Sequence, residues 1–388
     1  MVKPIGEYAF LFLRPSRKLF FKQSHSSILM RYLDAFVVYC LIGDKMKKLL
    51  VLSMLLLLAG CKGEPAIEGF TEDQMAELGK HEEVLNKIRD QCEYQESVRL
   101  MMDAGAFNAD DVELYCQIPL RAELVPSLTT LVTAGYNADQ IKTLFDLNFY
   151  RPENTARYLN YAADNPQYSL EDVVVRINIG LDVPFFTNTH VIEDTSDFGM
   201  LINKYNELPE GYEPAELMIT PSPCTIGFHF SCSFNDPQYV EKTAGEHFQQ
   251  LVDAAAEAGI KINAIASYRS YDYQYNLYHY YLNEQGQEYA DLYYARPGQS
   301  EHNSGLAIDV TMNDMNYNEI ELGPDYPWLL EHMADYGFIL RYPEDKTEYT
   351  GFGYESWHLR YVGEEIAKVV MENNWCLEEY YARMDVTK

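Results

Sequence analysis

The stretch from Ala295 to Thr311, Ala-Arg-Pro-Gly-Gln-Ser-Glu-His-Asn-Ser-Gly-Leu-Ala-Ile-Asp-Val-Thr, restricts the fold of this chain more than any other. His302 falls in a turn rich in Gly, Ser and Asn. Asp309 falls seven residues later, in a run that alternates like a strand: Leu306, Ile308 and Val310 on one face, Ala307 and Asp309 on the other. A carboxylate facing inward from an apolar strand needs a partner, because burying it alone costs several kcal/mol. About fifty residues on, Tyr354-Glu-Ser-Trp-His-Leu-Arg-Tyr361 supplies a second imidazole, His358, and another carboxylate, Glu355. His302, Asp309 and His358 together make a three-ligand set with an open fourth position. Two imidazoles and a carboxylate suit zinc better than iron or manganese, and one Zn2+ per chain is expected. Glu355 is then free to act as the base on water. The sequence contains no His-Glu-x-x-His helix, which excludes the thermolysin-like arrangement.

The pattern S-x-H-x-x-G-x-A-x-D, followed by E-x-W-H-x-R-Y-V-G, resembles the zinc D-alanyl-D-alanine carboxypeptidases of the VanY type, within the wider group that includes lysostaphin-like peptidases and hedgehog domains. Ser300, His302, Gly305, Ala307 and Asp309 carry the first block. Glu355, Trp357, His358, Arg360, Tyr361, Val362 and Gly363 carry the second, and Ser267-Tyr-Arg-Ser270 with Gln274 carries a third. The likeness spans roughly residues 198–375 and says nothing about the chain before them. It implies that Glu355 is the general base and that Arg269, at the end of a predicted strand, faces the scissile carbonyl and stabilises the oxyanion. Tyr268, Gln274 and Ser300 are expected to contact substrate, and Trp357 either walls the pocket or packs in the core. Glu355 precedes His358 by three residues, so a turn there would bring both side chains to one water. Arg360, beside His358, is expected to pair with a nearby carboxylate.

Charge narrows the partners. The chain carries −29 at neutral pH with a pI near 4.6, which argues against nucleic acid. Nine of its Lys and Arg but three of its Asp and Glu lie in residues 1–61, so the remainder is still more acidic. Such a surface is repelled by anionic headgroups, and membrane attachment must come from something other than a basic patch. Residues 46–60 provide it: Met46-Lys-Lys, then an apolar core from Leu49 to Leu58, then Leu58-Ala-Gly-Cys61. The core is too short to span a bilayer and reads as a signal peptide. Its ending resembles a bacterial lipobox, which implies cleavage before Cys61 and a lipid on that sulfur. Residues 1–45 precede a complete signal sequence, and the expectation is a start assigned too early, with Met46 the initiator.

Residues 61–73 read as a polar tether, and 74–195 as an all-α region with a repeat of about thirty residues. Met102-Asp-Ala-Gly-Ala-Phe-Asn-Ala-Asp-Asp-Val112 is echoed by Val132-Thr-Ala-Gly-Tyr-Asn-Ala-Asp-Gln-Ile141, and more loosely by Tyr161 to Val173. Each copy reads as a helix stopped by Gly or Asn, then a polar cap opening the next. Helix hairpins of this period stack into small solenoids, here a spacer or a partner-binding array. Residues 196–388 mix strands and helices without strict alternation, which predicts an α+β domain. By the resemblance it is a small antiparallel sheet with flanking helices, of the hedgehog/D-Ala-D-Ala peptidase kind, and its last helix is expected over Gly363–Asn373. Cys92 and Cys116 lie close enough in sequence to pair, as do Cys224 and Cys232, leaving Cys376 single.

The resemblance, with the lipobox, implies a monomeric zinc carboxypeptidase, tethered to the outer face of a bacterial membrane, that trims D-alanine from peptidoglycan stem peptides. An L,D-carboxypeptidase or an endopeptidase on the same substrate class shares these motifs. A non-catalytic wall-binding lipoprotein would be expected to have lost the base or a ligand, and this chain keeps both.

Overall fold

A computed structural model describes residues 67–224 and 237–384. The leader, Cys61, residues 1–45 and Cys232 lie outside the described residues. Every described element between Glu82 and Ile179 is helical. The two clear repeat copies end their helices alike: Gly105 and Gly135 both adopt a positive φ (66° and 82°) after Gln95–Asp103 and Val125–Thr133. In each copy an Asn follows three or two residues later and caps the next turn, Asn108 accepting from Asp110 N and Asn137 from Gln140 N. The loose third copy stops differently, at Asn165 with φ −131°, before Ser169 caps Leu170–Ile179. Cys92 and Cys116 are disulfide-bonded, and Cys376 is free and buried.

Among the described residues, those from 76 onward form one compact unit. The Leu170–Ile179 helix packs on a C-terminal helix, Leu377–Ala382, that the sequence reading, ending its last helix at Asn373, had not separated. Asn178 donates from Nδ2 to the Ala382 carbonyl at 3.0 Å, and the buried Arg176 meets Glu348 at 2.7 Å.

The α+β part is built on four strands: β1 (Ile262–Ala266), β2 (Ala307–Met312), β3 (Phe338–Tyr342) and β4 (Glu355–Tyr361). Their order is β1-β2-β4-β3, with every neighbouring pair antiparallel. Ile308 and Leu359, paired across the two central strands, face an apolar core with Val310, Leu340 and Phe248 of the Lys242–Glu257 helix. Leu306, Ile308 and Val310 thus share the core face that their spacing predicts. The opposite face is covered as well, since all six residues of β2 are buried. That second face holds the polar chemistry.

Candidate active site

Strand pairing alone places two of the three expected ligands together. Asp309 on β2 sits directly opposite His358 on β4, which in an antiparallel pair puts both side chains on one face with their Cβ atoms roughly 5 Å apart. His302 arrives from a single 3-10 turn, Glu301–Ser304, that runs straight into β2. The turn closes on Gly305 in a left-handed conformation (φ 74°), where a Cβ would press against the Glu241 backbone N at 3.0 Å. Nitrogen and oxygen atoms of His302, Asp309 and His358 all lie within 4.8 Å of one another, and all three residues are buried. Among the described residues this is the group suited to hold a metal ion.

The donor atoms are set by what lies behind them. His302 Nδ1 is 2.7 Å from the Ser267 carbonyl, which can accept but not donate, so that nitrogen carries the proton and Nε2 is bare. His302 Nε2 lies 3.3 Å from Asp309 Oδ2, and His358 Nδ1 lies 3.1 Å from Oδ1. The second contact is close but not in hydrogen-bond geometry: Oδ1 is a buried oxygen without a hydrogen-bond partner. A buried carboxylate with one oxygen beside each imidazole nitrogen, the one beside His358 orphaned, is the donor set a zinc ion takes.

Glu355 opens β4 with Oε2 3.4 Å from His358 Nδ1. The two are brought together by an irregularity in the strand, where the β3–β4 register shifts between Leu340 and Tyr342, and not by the turn that their spacing suggested. Burial pushes the Glu355 carboxyl up to about 7; His358 opposes this and Asp309 reinforces it. Burial works against a charged His358, but the Asp309 and Glu301 carboxylates outweigh it and raise the imidazole to about 9. Burial alone would also raise Asp309, yet the two imidazoles hold it well below the usual carboxylate range.

These groups line a cleft of about 530 Å3, the size of an ordinary small-ligand site. Arg269, Gln274, Ser300 and Trp357 line it too. Arg269 Nη2 bonds Asp309 Oδ2 at 3.1 Å. Gln274 donates to the Ala295 carbonyl at 2.8 Å and keeps its Oε1 buried without a partner. Trp357 meets Tyr317 edge to face at 4.9 Å. Tyr268 is not brought to the cleft. It stands half-buried next to Arg269, two residues past β1, with its backbone N–H donated to the Tyr239 carbonyl at 2.8 Å, and is absent from the residues that line the cleft. Ser270, in the same block, caps the Tyr271–Gln285 helix by accepting from Tyr273 N at 3.2 Å. A larger hollow, about 750 Å3, runs between Gly180 and Tyr381 and holds none of these groups.

Two residues escaped the sequence reading. Glu301, between Ser300 and His302, is fully buried behind His358, and Arg360 pairs with it at 2.6 Å, which supplies the carboxylate expected for Arg360. The signal was a charged residue inside a Gly- and Ser-rich turn, which by composition looks like surface. Lys204 is buried and fastens the cleft rim, donating to the carbonyls of Asp291 (2.5 Å) and Gly351; burial pulls its ammonium down to about 8.

Comparison with known proteins decides the family. The model of the D-alanyl-D-alanine carboxypeptidase family VanY matches residues 237–364. "Putative carboxypeptidase YodJ" of Bacillus subtilis is 33% identical over 235 residues, covering 60% of this chain and 82% of that protein. The chain belongs to the VanY family. A second relative, the bifunctional D-Ala-D-Ala dipeptidase and D-Ala-D-Ala carboxypeptidase VanXYC of Enterococcus gallinarum, is 36% identical over 189 residues, covering 47% of this chain and 92% of that protein. Among solved structures, the LdcB LD-carboxypeptidase is 33% identical with a TM-score of 0.46, covering 51% of this chain and 92% of that one. VanYB in complex with D-alanine-D-alanine is 32% identical with a TM-score of 0.39, covering 47% and 96%. As a VanY-family member the chain is an enzyme of the carboxypeptidase type, and the family model ends one residue after Gly363, the last residue of the second motif block.

Proposed function

We propose that this chain is a zinc-dependent D,D-carboxypeptidase that removes the C-terminal D-alanine from peptidoglycan stem peptides, on the outer side of a bacterial membrane to which lipidated Cys61 tethers it. The observation that carries the reading is the pairing of Asp309 with His358 across the central strands, with His302 and Glu355 closing on them at the wall of one cleft. Zinc held by His302, Asp309 and His358 would supply Lewis-acid polarisation and a water of lowered pKa.

The chain's own groups do the rest. Glu355, beside the ligand set and almost out of water, takes a proton from water at a carboxylate oxygen and returns it to the leaving amine. Arg269 is held toward the site by Asp309, and its remaining N–H groups are free to bond an oxyanion or the substrate's terminal carboxylate. The unpartnered Gln274 Oε1 accepts from a substrate amide, and Ser300 and Trp357 shape the wall.

The test is mass spectrometry of purified pentapeptide and tetrapeptide stems after incubation with the zinc-loaded protein. Loss of one D-alanine from the pentapeptide, with the tetrapeptide untouched, is expected. Trimming of the tetrapeptide alone would make the enzyme an L,D-carboxypeptidase, and internal cleavage an endopeptidase. No cleavage of either by a zinc-loaded protein would leave the chain a wall-binding lipoprotein.

A further inference from the structure

The side chain of Glu301 has no exposed surface. Its Oε2 lies 3.4 Å from His358 Nε2, on the side of the ring away from Asp309. Its Oε1 accepts from Arg341 Nε and Arg360 Nη1, both at 2.6 Å. Those guanidiniums are buried and are themselves held. Arg341 reaches both oxygens of Glu378, at 2.9 and 2.8 Å, and Arg360 reaches the Phe198 and Met200 carbonyls, at 3.0 and 2.8 Å. Two carboxylates and two guanidiniums thus sit together in the interior, tied to the Leu377–Ala382 helix and to the segment that leads into the α+β part. Replacing such a buried quartet by apolar side chains is often neutral or stabilising, so stability does not account for it. The orientation of one imidazole does.

A metal takes the imidazole nitrogen that carries no proton, and the hydrogen bond on the other nitrogen decides which that is. For His302 the Ser267 carbonyl makes the choice. For His358, among the described residues, the acceptor behind the ring is Glu301. We propose that Glu301 is a positioning residue: gripped by Arg341 and Arg360, it keeps the proton of His358 on Nε2 and fixes the ring, so that Nδ1 is the nitrogen offered to the metal. This rests on the zinc reading above. It explains why the grip is one-sided, with both cations on Oε1 and Oε2 left to the imidazole.

Glu301→Gln puts the inference at risk with almost no change of shape. The two guanidiniums demand an acceptor at the Oε1 position, which turns the amide NH2 toward His358 Nε2. A donor then faces a donor, and the required tautomer is disfavoured. Zinc affinity of the folded variant, measured by chelator competition, should fall about 10- to 100-fold relative to the parent. Glu378→Gln takes a charge from the same quartet without touching His358 and should stay within about threefold, since it reaches the ring only through Arg341. Imidazole 15N spectra of the zinc-loaded parent should show His358 protonated at Nε2 and coordinating through Nδ1, and this measurement stands even if a variant fails to fold. Coordination through Nε2, or equal zinc affinity in parent and Glu301→Gln, overturns the inference alone. A folded parent that binds no zinc overturns the metal reading and the inference with it.

Discussion

Glu355→Gln should separate activity from stability, and in opposite directions. The carboxyl is almost out of water, and its environment raises it from an ordinary 4.5 to about 7. A group whose folded pKa lies above its unfolded value holds its proton more tightly when folded. Its contribution is therefore fully present below pH 4.5, declines as pH rises toward 7, and above that the folded state bears the whole cost of a charged, poorly hydrated carboxylate. At about 1.4 kcal/mol per pKa unit, the cost in the zinc-free protein is on the order of 3 kcal/mol at pH 8. The amide has the same shape and no charge. The zinc-free variant should therefore be more stable than the parent by about that amount at pH 8, and equal to it near pH 4. Denaturant unfolding of both proteins across that range reads the difference directly. The zinc-loaded variant should keep its metal and lose about 100- to 10,000-fold in turnover on a stem peptide. A variant that is no more stable at pH 8, or whose gain does not change with pH, would refute the argument that the fold holds this carboxylate at a cost. Turnover within a few-fold of the parent would show that the base is another group.

Changing both His302 and His358 to Ala should abolish stoichiometric zinc binding in metal analysis of the purified protein; retained zinc would place the ion elsewhere. Replacing Cys92 and Cys116 by Ser opens a loop of 24 residues and should cost about 3 kcal/mol, seen as a lowered melting temperature, whereas an unchanged melt would mean that the disulfide constrains nothing. Intact mass of membrane-extracted protein should show a diacylglycerol-bearing Cys61 at the amino terminus, and finding residues 1–45 there would defeat both the lipobox and the reassigned start.

The helical segment is tied to the α+β part by side-chain contacts. Asn178 is bonded to the last helix and Arg176 to Glu348 beside the cleft-bearing sheet. Removing residues 74–195 would strip partners from both, so the full chain is the proper object for the measurements above.

Local chemistry, together with the motif order that resembles the VanY type, pointed to the candidate ligand set. A carboxylate on the inner face of an apolar strand must have partners, and the two imidazoles at the right places in the sequence named them. Strands over 260–267, 306–310 and 338–342 and a helix from Tyr271 are legible for the same reason, since alternation, caps and Gly stops are properties of a few neighbouring residues; the structure forms Ile262–Ala266, Ala307–Met312, Phe338–Tyr342 and Tyr271–Gln285 there. Three things were decided only by tertiary structure. The pairing of β2 with β4 brings Asp309 opposite His358 across nearly fifty residues, and the irregular register of β4 brings Glu355 to the same cleft. The segment after β1 brings Arg269 to Asp309 at the cleft wall, while Tyr268 beside it is not among the residues that line the cleft, although both carry motif letters. Glu301, in a turn whose composition reads as solvent-exposed, becomes a buried carboxylate because Arg341 from β3, Arg360 from β4 and Glu378 from the last helix close around it. A charge can be buried only where opposite charges converge from distant parts of the chain, and no local pattern records that convergence.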